Sequence, residues 1–312
     1  MELIFLGTSS GTPTKFRNLS GVALKLQNSK FWNLFDCGES TQHQLLKTPL
    51  SLLKLRSICI SHVHGDHCYG LLGLLASASM DQRKEPLTII APTDIQHFLD
   101  SAFKYTQLNL SFDINFIAIE NVTESIELDD FTMDITELSH RVPSYAFTVT
   151  EKNIEAKLDQ EKLIADGIPP SSVWNKIQKR QNVQLDEGRL LKTEDYLIVD
   201  RTPRIITICG DNDSPELLKN IKTDVLVHEA TYTDAVLQQV GQRKVQHSSA
   251  KQVAEFAESI ELKNLVLTHF SARYTNENIS EIQNEAKLYY SGNLFLAYDF
   301  DVYHLNKQHK LN

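Results

Sequence analysis

The chain has 312 residues, 41% hydrophobic and 23% charged, enough apolar material for one large or two small packed domains. A net charge of −9 argues against broad nucleic-acid binding, although a local basic patch would still attract phosphate, because the local field decides. With no apolar run of about eighteen residues, no membrane-spanning helix is expected.

In chain order, Glu2 to Leu6 reads as a first strand rather than a signal peptide, since it lacks a basic leader and a long apolar stretch. A Gly/Ser/Thr-rich loop from Gly7 to Asn18 follows, carrying Lys15 and Arg17. Val22 to Leu26 and Phe31 to Phe35 are further strands, the latter ending in Asp36-Cys37-Gly38-Glu39, and Thr41 to Leu46 is a short helix. Leu55 to Ile60 is a buried strand. It runs into Ser61-His62-Val63-His64-Gly65-Asp66-His67, and Leu71, Leu72, Leu74 and Leu75 then give an apolar helical face. Leu87 to Ile90 is a strand, and Thr93 is expected to cap a helix running toward Tyr105. Strands over Ile114 to Ile119 and Phe131 to Leu138 follow, with His140 at the tip of the second, then Tyr145 to Val149.

From Ile154 to about Asp195 the alternation stops. Gly167-Ile168-Pro169-Pro170 breaks the chain, and Val173, Trp174 and Ile177 suggest a short amphipathic helix bearing Lys176, Lys179 and Arg180. This stretch reads as an inserted arm in an otherwise single domain spanning 1–312. The core resumes with a strand from Arg204 ending at Asp211, a second from Asp224 to Thr231, a helix from Ser248 to Ile260, and a strand ending at His269. Leu294 to His304 reads as one last strand. Cys37, Cys59, Cys68 and Cys209 contain no Cys-x-x-Cys pair and are expected to be buried, reduced thiols of a cytoplasmic protein, with Cys68 turned away from the histidine cluster.

Three imidazoles and a carboxylate within six residues suit a divalent metal, since neutral imidazole and carboxylate are good ligands for zinc. Four strands ending in His62, His140, Asp211 and His269 strengthen that reading, because α/β sheets gather functional residues where strands emit loops. His62, His64, Asp66, His67, His140, Asp211 and His269 together are too many for one tetrahedral ion and fit two metals with one shared carboxylate.

This pattern resembles the metallo-β-lactamase-fold hydrolases. The resemblance covers nearly the whole chain and implies an α/β (αββα) sandwich: two mixed β-sheets face to face, helices outside, plus an inserted exosite arm. Further stretches resemble one family more narrowly, ribonuclease Z, the tRNA 3′-processing endonucleases. They are His228-Glu229-Ala230-Thr231, the Pro13-to-Asn18 loop, the His269-to-Tyr274 segment, and Gly167-Ile168-Pro169-Pro170 with the basic helix. One departure is Ser249, where the family's His-Ser-Thr segment has Thr.

The resemblance implies that His62, His64 and His140 hold one metal, that Asp66, His67 and His269 hold the other, and that Asp211 bridges them. The cofactors would be two Zn2+ per subunit, with Mn2+ or Co2+ as substitutes. Asp66 would orient the attacking water and take its proton, and His247, steadied by Glu229, would serve the leaving oxygen. Lys15, Arg17 and Arg273 near the site and Lys176, Lys179 and Arg180 on the arm would contact RNA. Precursor tRNA would be the substrate of a homodimer; no DNA or membrane partner is expected. Two other readings remain at the level of sequence: a small-molecule hydrolase on the same fold, and a non-catalytic RNA-binding protein on a decayed fold. Retention of the full ligand set argues against the second.

Overall fold

The structure is a computed structural model describing residues 1–26, 29–152 and 154–312. It forms two compact units, Met1–Thr150 with Arg204–Asn312, and Glu151–Pro203.

The larger unit holds two seven-stranded mixed sheets. Strand alternation explains their stacking, because successive side chains point to opposite faces. In the first strand, Glu2–Gly7, Leu3 and Phe5 face the second sheet while Ile4 and Leu6 face helices. The first sheet runs Val302–His304, Glu2–Gly7, Gly21–Lys25, Trp32–Phe35, Leu55–Cys59, Leu87–Ala91, Ile114–Ala118. The second runs Asn293–Leu296, Asn264–Thr268, Val225–Glu229, Ile205–Cys209, Ser144–Glu151, Phe131–Leu138, Ile126–Glu127.

Between the sheets, Phe5, Phe35, Phe147, Ile206 and Val227 share one core, with the Phe35 and Phe147 ring centroids 5.7 Å apart. Leu71, Leu74 and Leu75 of helix Leu71–Met80, with Ile95 and Leu99 of helix Thr93–Thr106, cover the outside of the first sheet. Helices Ala250–Ser259 and Ser280–Lys287 cover the second. Burial on both faces explains why strands such as Ile205–Cys209 are largely apolar, the one hydroxyl, Thr207, being paired with Thr148 at 3.0 Å. Each such fully buried aliphatic or aromatic side chain contributes about 1.5–3 kcal/mol.

Three sequence expectations change. Leu294 to His304 is two strands, Asn293–Leu296 in the second sheet and Val302–His304 in the first. The chain crosses between sheets through a turn in which Phe300 takes a φ of 72°. Thr93 is the first residue of its helix rather than its cap; its hydroxyl donates to Glu120 Oε2 at 2.9 Å, and that carboxylate stands at the helix N-terminus. Cys209 is half-buried, whereas Cys37, Cys59 and Cys68 are buried, and all four thiols are free. The Cys68 thiol points to the Val63 carbonyl at 3.5 Å.

The smaller unit has its own core of Leu163, Ile168, Ile177, Val183, Leu191 and Tyr196. Helix Gln160–Ala165 is capped by Asp159 and helix Ser172–Gln178 by Ser171. The Trp174 indole donates to the Ile168 carbonyl at 3.1 Å, which fastens the Gly-Ile-Pro-Pro turn to the second helix.

One close approach fixes the histidine-rich turn. Cys37 N–H donates to the His67 carbonyl, and Gly70 N–H to the Cys37 carbonyl. A Cβ at Gly70 would lie 2.1 Å from the Gly38 carbonyl oxygen, so only glycine fits there. Gly70→Ala is therefore expected to lower stability by about 1–3 kcal/mol, the cost of forcing atoms into a packed site. Equilibrium urea unfolding measures it.

Candidate metal centre

The site is built at one edge of the two sheets. Strand Leu55–Cys59 leads to His62, Phe131–Leu138 to His140, Ile205–Cys209 to Asp211, and Asn264–Thr268 to His269. Glu229 is the last residue of Val225–Glu229. Helix Gly65–Cys68 carries Asp66 and His67. His269 has a φ of 57°, a left-handed conformation uncommon for a side chain of this size and concentrated at functional sites.

Two groups of ligand atoms converge, His62, His64, His140 and Asp211 in one and Asp66, His67 and His269 in the other, and a third set, Asp211, His247 and His269, overlaps both. His64 Nδ1 is 3.1 Å from His62 Nε2 and 3.2 Å from His140 Nε2. His67 Nε2 is 3.1 Å from His269 Nε2, and Asp66 Oδ2 is 3.4 Å from His269 Nε2. Asp211 stands between the groups. Its Oδ1 is 3.3 Å from both His67 Nε2 and His269 Nε2, and its Oδ2 is 3.6 Å from both His62 Nε2 and His140 Nε2.

The outer ring nitrogens show why the inner ones are free to ligate. His140 Nδ1 is 2.8 Å from the Gln246 carbonyl, which can only accept, so Nδ1 carries the proton and Nε2 offers a lone pair. His67 Nδ1 likewise meets Asp36 Oδ2 at 2.7 Å. Ser61 donates its hydroxyl to the same Asp36 oxygen at 2.9 Å and stands 3.0 Å from His62 Nδ1. These are the hydrogen bonds that orient metal-binding imidazoles. Asp211 Oδ1 is buried with no hydrogen-bond partner, a costly state for a carboxylate oxygen unless a cation satisfies it. The residues present therefore fit a metal-binding site.

Electrostatics agree. Burial alone would lower the pKa of His67, but Asp211, Asp36 and Asp66 together raise it well above the ordinary histidine value. That shift reports a strongly negative local potential, suited to cations. Burial, then the neighbouring imidazoles, lower His62 and His64, keeping them neutral and able to ligate. Burial would raise Asp66, yet His67 and His269 hold it far below the usual carboxylate range. Gly11 N–H also donates to Asp66 Oδ2 at 2.7 Å, tying the Gly7-to-Asn18 loop to the site.

His247 belongs only to the overlapping third set, with its Nδ1 3.8 Å from Asp211 Oδ2. Its ring centroid is 5.2 Å from that of His140 and 5.6 Å from that of His269. Its Nδ1 is 3.0 Å from Glu229 Oε2. Burial would lower its pKa, but the Glu229 carboxylate raises it to about 9. Burial would in turn raise Glu229, and the His247 charge brings it below its ordinary value. Glu229 also accepts from Asn212 N–H at 2.7 Å.

Known proteins match this chain along nearly its whole length. A "Ribonuclease Z" of Marinobacter nauticus is 50% identical over 319 aligned positions, covering 100% of this chain and 98% of that one. A "Ribonuclease Z" of Pseudomonas putida is 47% identical, with 98% of each chain covered. The chain belongs to the ribonuclease Z family. Its residues 1–162 also match the family model described as anti-Pycsar protein Apyc1 and belong with that family. That match holds the histidine turn and His140 but stops before Asp211, Glu229, His247 and His269, which the full-length ribonuclease Z matches span. Among solved structures, human tRNase Z, short form, superposes with a TM-score of 0.66 at 26% identity over 98% of this chain and 100% of that one. The metallo-β-lactamase fold protein YhfI of Bacillus subtilis gives 0.64 at 18% identity, over 96% and 98%, and shows the fold.

Within this ribonuclease Z chain the basic residues divide. Lys15 and Arg273 are exposed in the larger unit, Arg273 over the Tyr232 ring at 5.3 Å. Lys176, Lys179 and Arg180 are exposed in the smaller unit, and Arg180 also donates to the Ile154 carbonyl. Arg17 is a correction. It is 3% exposed, its guanidinium lying 5.1 Å from the Phe270 ring centroid and 4.9 Å from that of Tyr298. A side chain so enclosed pins the loop from within and has no access to RNA phosphates. Asp299 completes the pin, accepting from Thr8 Oγ1 at 2.8 Å and Asn18 N at 2.7 Å.

Sequence reasoning missed Asp36 as a partner of His67. A signal existed: Asp36 ends a strand of the sheet that also delivers His62. The Ser249 departure is accommodated, since Ser249 caps helix Ala250–Ser259 in a full capping box with Gln252. His140→Ala is expected to lower bound metal while His247→Ala leaves it unchanged, measured by elemental analysis of the purified proteins. Metal loss in the second variant would make His247 a ligand instead.

Proposed function

We propose that this chain is a zinc-dependent endoribonuclease that removes the 3′ trailer from precursor tRNA, leaving a 3′-OH on the tRNA and a 5′-phosphate on the trailer. The observation that carries the reading is Asp211, one oxygen facing each ligand group, beside a separate His247–Glu229 pair, in a chain of the ribonuclease Z family. His62, His64 and His140 would hold one ion and Asp66, His67 and His269 the other, with Asp211 shared. When bound, such a pair supplies Lewis-acid activation of water and neutralises phosphate charge.

The chain's own groups supply the rest. Asp66, fixed by Gly11 N–H, orients the attacking water and takes up its proton. His247 is protonated at neutral pH and faces the ligand groups, so it donates a proton to the leaving 3′-oxygen. Glu229 keeps it charged and aimed. The larger unit offers Lys15 and Arg273 to phosphates near the cut, and the smaller unit is the tRNA-gripping arm, with Lys176, Lys179 and Arg180 contacting the backbone. The family resemblance adds a homodimer in the cytoplasm. Among the described residues, no helix is long and apolar enough to cross a membrane.

The direct test is incubation with a 3′-extended precursor tRNA, with chelator and with added zinc. One metal-dependent cut near the acceptor end, leaving 3′-OH, is expected. A metal-loaded protein that leaves the tRNA intact but hydrolyses small esters would overturn the reading.

The acid role has a pH signature. A histidine raised by its partner loses its proton as pH rises through the raised value, so activity falls on the alkaline side. Without the Glu229 charge the main support for the raised His247 pKa is lost and burial, which lowers it, dominates. Glu229→Gln is therefore expected to move the alkaline limb of kcat downward with metal content unchanged; an unmoved limb assigns the proton to another group. Lys176→Glu with Lys179→Glu is expected to weaken precursor binding and flatten its salt dependence, because each lost phosphate contact reduces counterion release. Binding isotherms across salt concentrations read both.

A further inference from the structure

Thr231, the last residue of the His-Glu-Ala-Thr segment, has no role so far, yet it is 1% exposed and joins both halves of the site. Its hydroxyl donates to Glu229 Oε2 at 2.5 Å and is 3.2 Å from His269 Nδ1. The His269 carbonyl, at 3.0 Å, is a second acceptor for the same proton. A hydroxyl has one proton, and the nearer, charged acceptor takes it. The oxygen lone pairs are then turned to His269 Nδ1, which must donate. That choice puts the His269 lone pair on Nε2, the atom facing His67, Asp66 and Asp211.

The same device occurs once more in the site. Ser61 donates its hydroxyl to Asp36 and stands ready to accept from His62 Nδ1. Each relay runs from an imidazole through a hydroxyl to a buried carboxylate. The difference lies in the carboxylate. Asp36 also holds His67 directly, another member of the ligand groups. Glu229 holds His247, the proton donor.

We propose that Thr231 is a positioning residue that locks the tautomer and ring orientation of His269 and, through Glu229, ties the second ligand group to the aim of His247. This rests on the metal-dependent tRNA endonuclease reading. It goes beyond it by assigning the coupling between ligation and proton donation to one hydroxyl. The consequence is asymmetric: loss of the hydroxyl weakens one of two metal equivalents and leaves the His62, His64 and His140 group intact.

The test compares the wild type with Thr231→Val, which keeps the shape and loses the hydroxyl, and Thr231→Ser, which keeps the hydroxyl and loses the methyl. Zinc affinity is read by competition with a chromophoric chelator, the ligand field by cobalt(II) absorption, and turnover with 3′-extended precursor tRNA. For Thr231→Val, one metal equivalent is expected to bind about 10–100-fold more weakly, the usual effect of losing a hydrogen bond to a metal-bound imidazole. Its cobalt spectrum should change at that equivalent, and kcat should fall at saturating zinc with KM for precursor tRNA unchanged. Thr231→Ser should restore affinity, spectrum and kcat together.

The proposal is overturned if Thr231→Val binds both equivalents as the wild type does, or if Thr231→Ser fails as Val does, which would make the methyl packing decisive. Should Thr231→Val not fold, Thr231→Ala replaces it in the same comparison with Ser. Failure of the wild type to cut tRNA would remove the function reading and leave the metal comparison able to decide the role of Thr231.

Discussion

The site depends on one buried carboxylate. Asp211 is fully enclosed, one oxygen lacks any hydrogen-bond partner, and its two oxygens face two different sets of imidazoles. An anion so placed is costly unless cationic charge compensates it. The surrounding chain is organised to permit that. His62 and His140 sit on one side, His67 and His269 on the other. Each of these rings has its outer nitrogen taken up by Ser61, Gln246, Asp36 or Thr231. The outer hydrogen bonds decide which lone pairs point inward, so ligand geometry is set by groups that would touch no metal.

Placing those groups to within fractions of an ångström requires rigid supports. Parallel strands Ile205–Cys209, Val225–Glu229 and Asn264–Thr268 end side by side, delivering Asp211, Glu229 and His269 from neighbouring positions. The first sheet delivers Asp36 and His62 the same way. The sheets are held in register by a shared aromatic and aliphatic core, so displacing one strand would carry its terminal ligand with it. The glycine contact between residues 38 and 70 and the buried Arg17 pin do for the loops what the core does for the strands.

Much of this was legible in the sequence because the signals were local or periodic. The His62-to-His67 cluster, apolar strands with polar tips, and the His228-to-Thr231 segment are readable without coordinates. The errors have physical reasons. Leu294 to His304 has a continuous β-like composition, and no local signal marks a chain crossing between sheets. Thr93 has the chemistry of a cap, but a distant carboxylate, Glu120, occupies the helix end instead. Arg17 sits in a loop rich in Gly, Ser and Thr and looks solvent-facing until Phe270 and Tyr298, more than 200 residues away, close over it. Asp36, Gln246 and Thr231 acquire their partners only through tertiary contacts. Long-range partnership is what single-sequence reasoning lacks, and the hydrogen bonds that orient the ligands are mostly of that kind.

The central claim is that Asp211 joins two ligand groups into one reactive centre. It is tested most directly by returning zinc in steps to the metal-free protein while following bound metal and cleavage of a 3′-extended precursor tRNA together. The account requires two equivalents bound per chain, with cleavage tracking the doubly loaded form. Full cleavage with a single equivalent bound would contradict it.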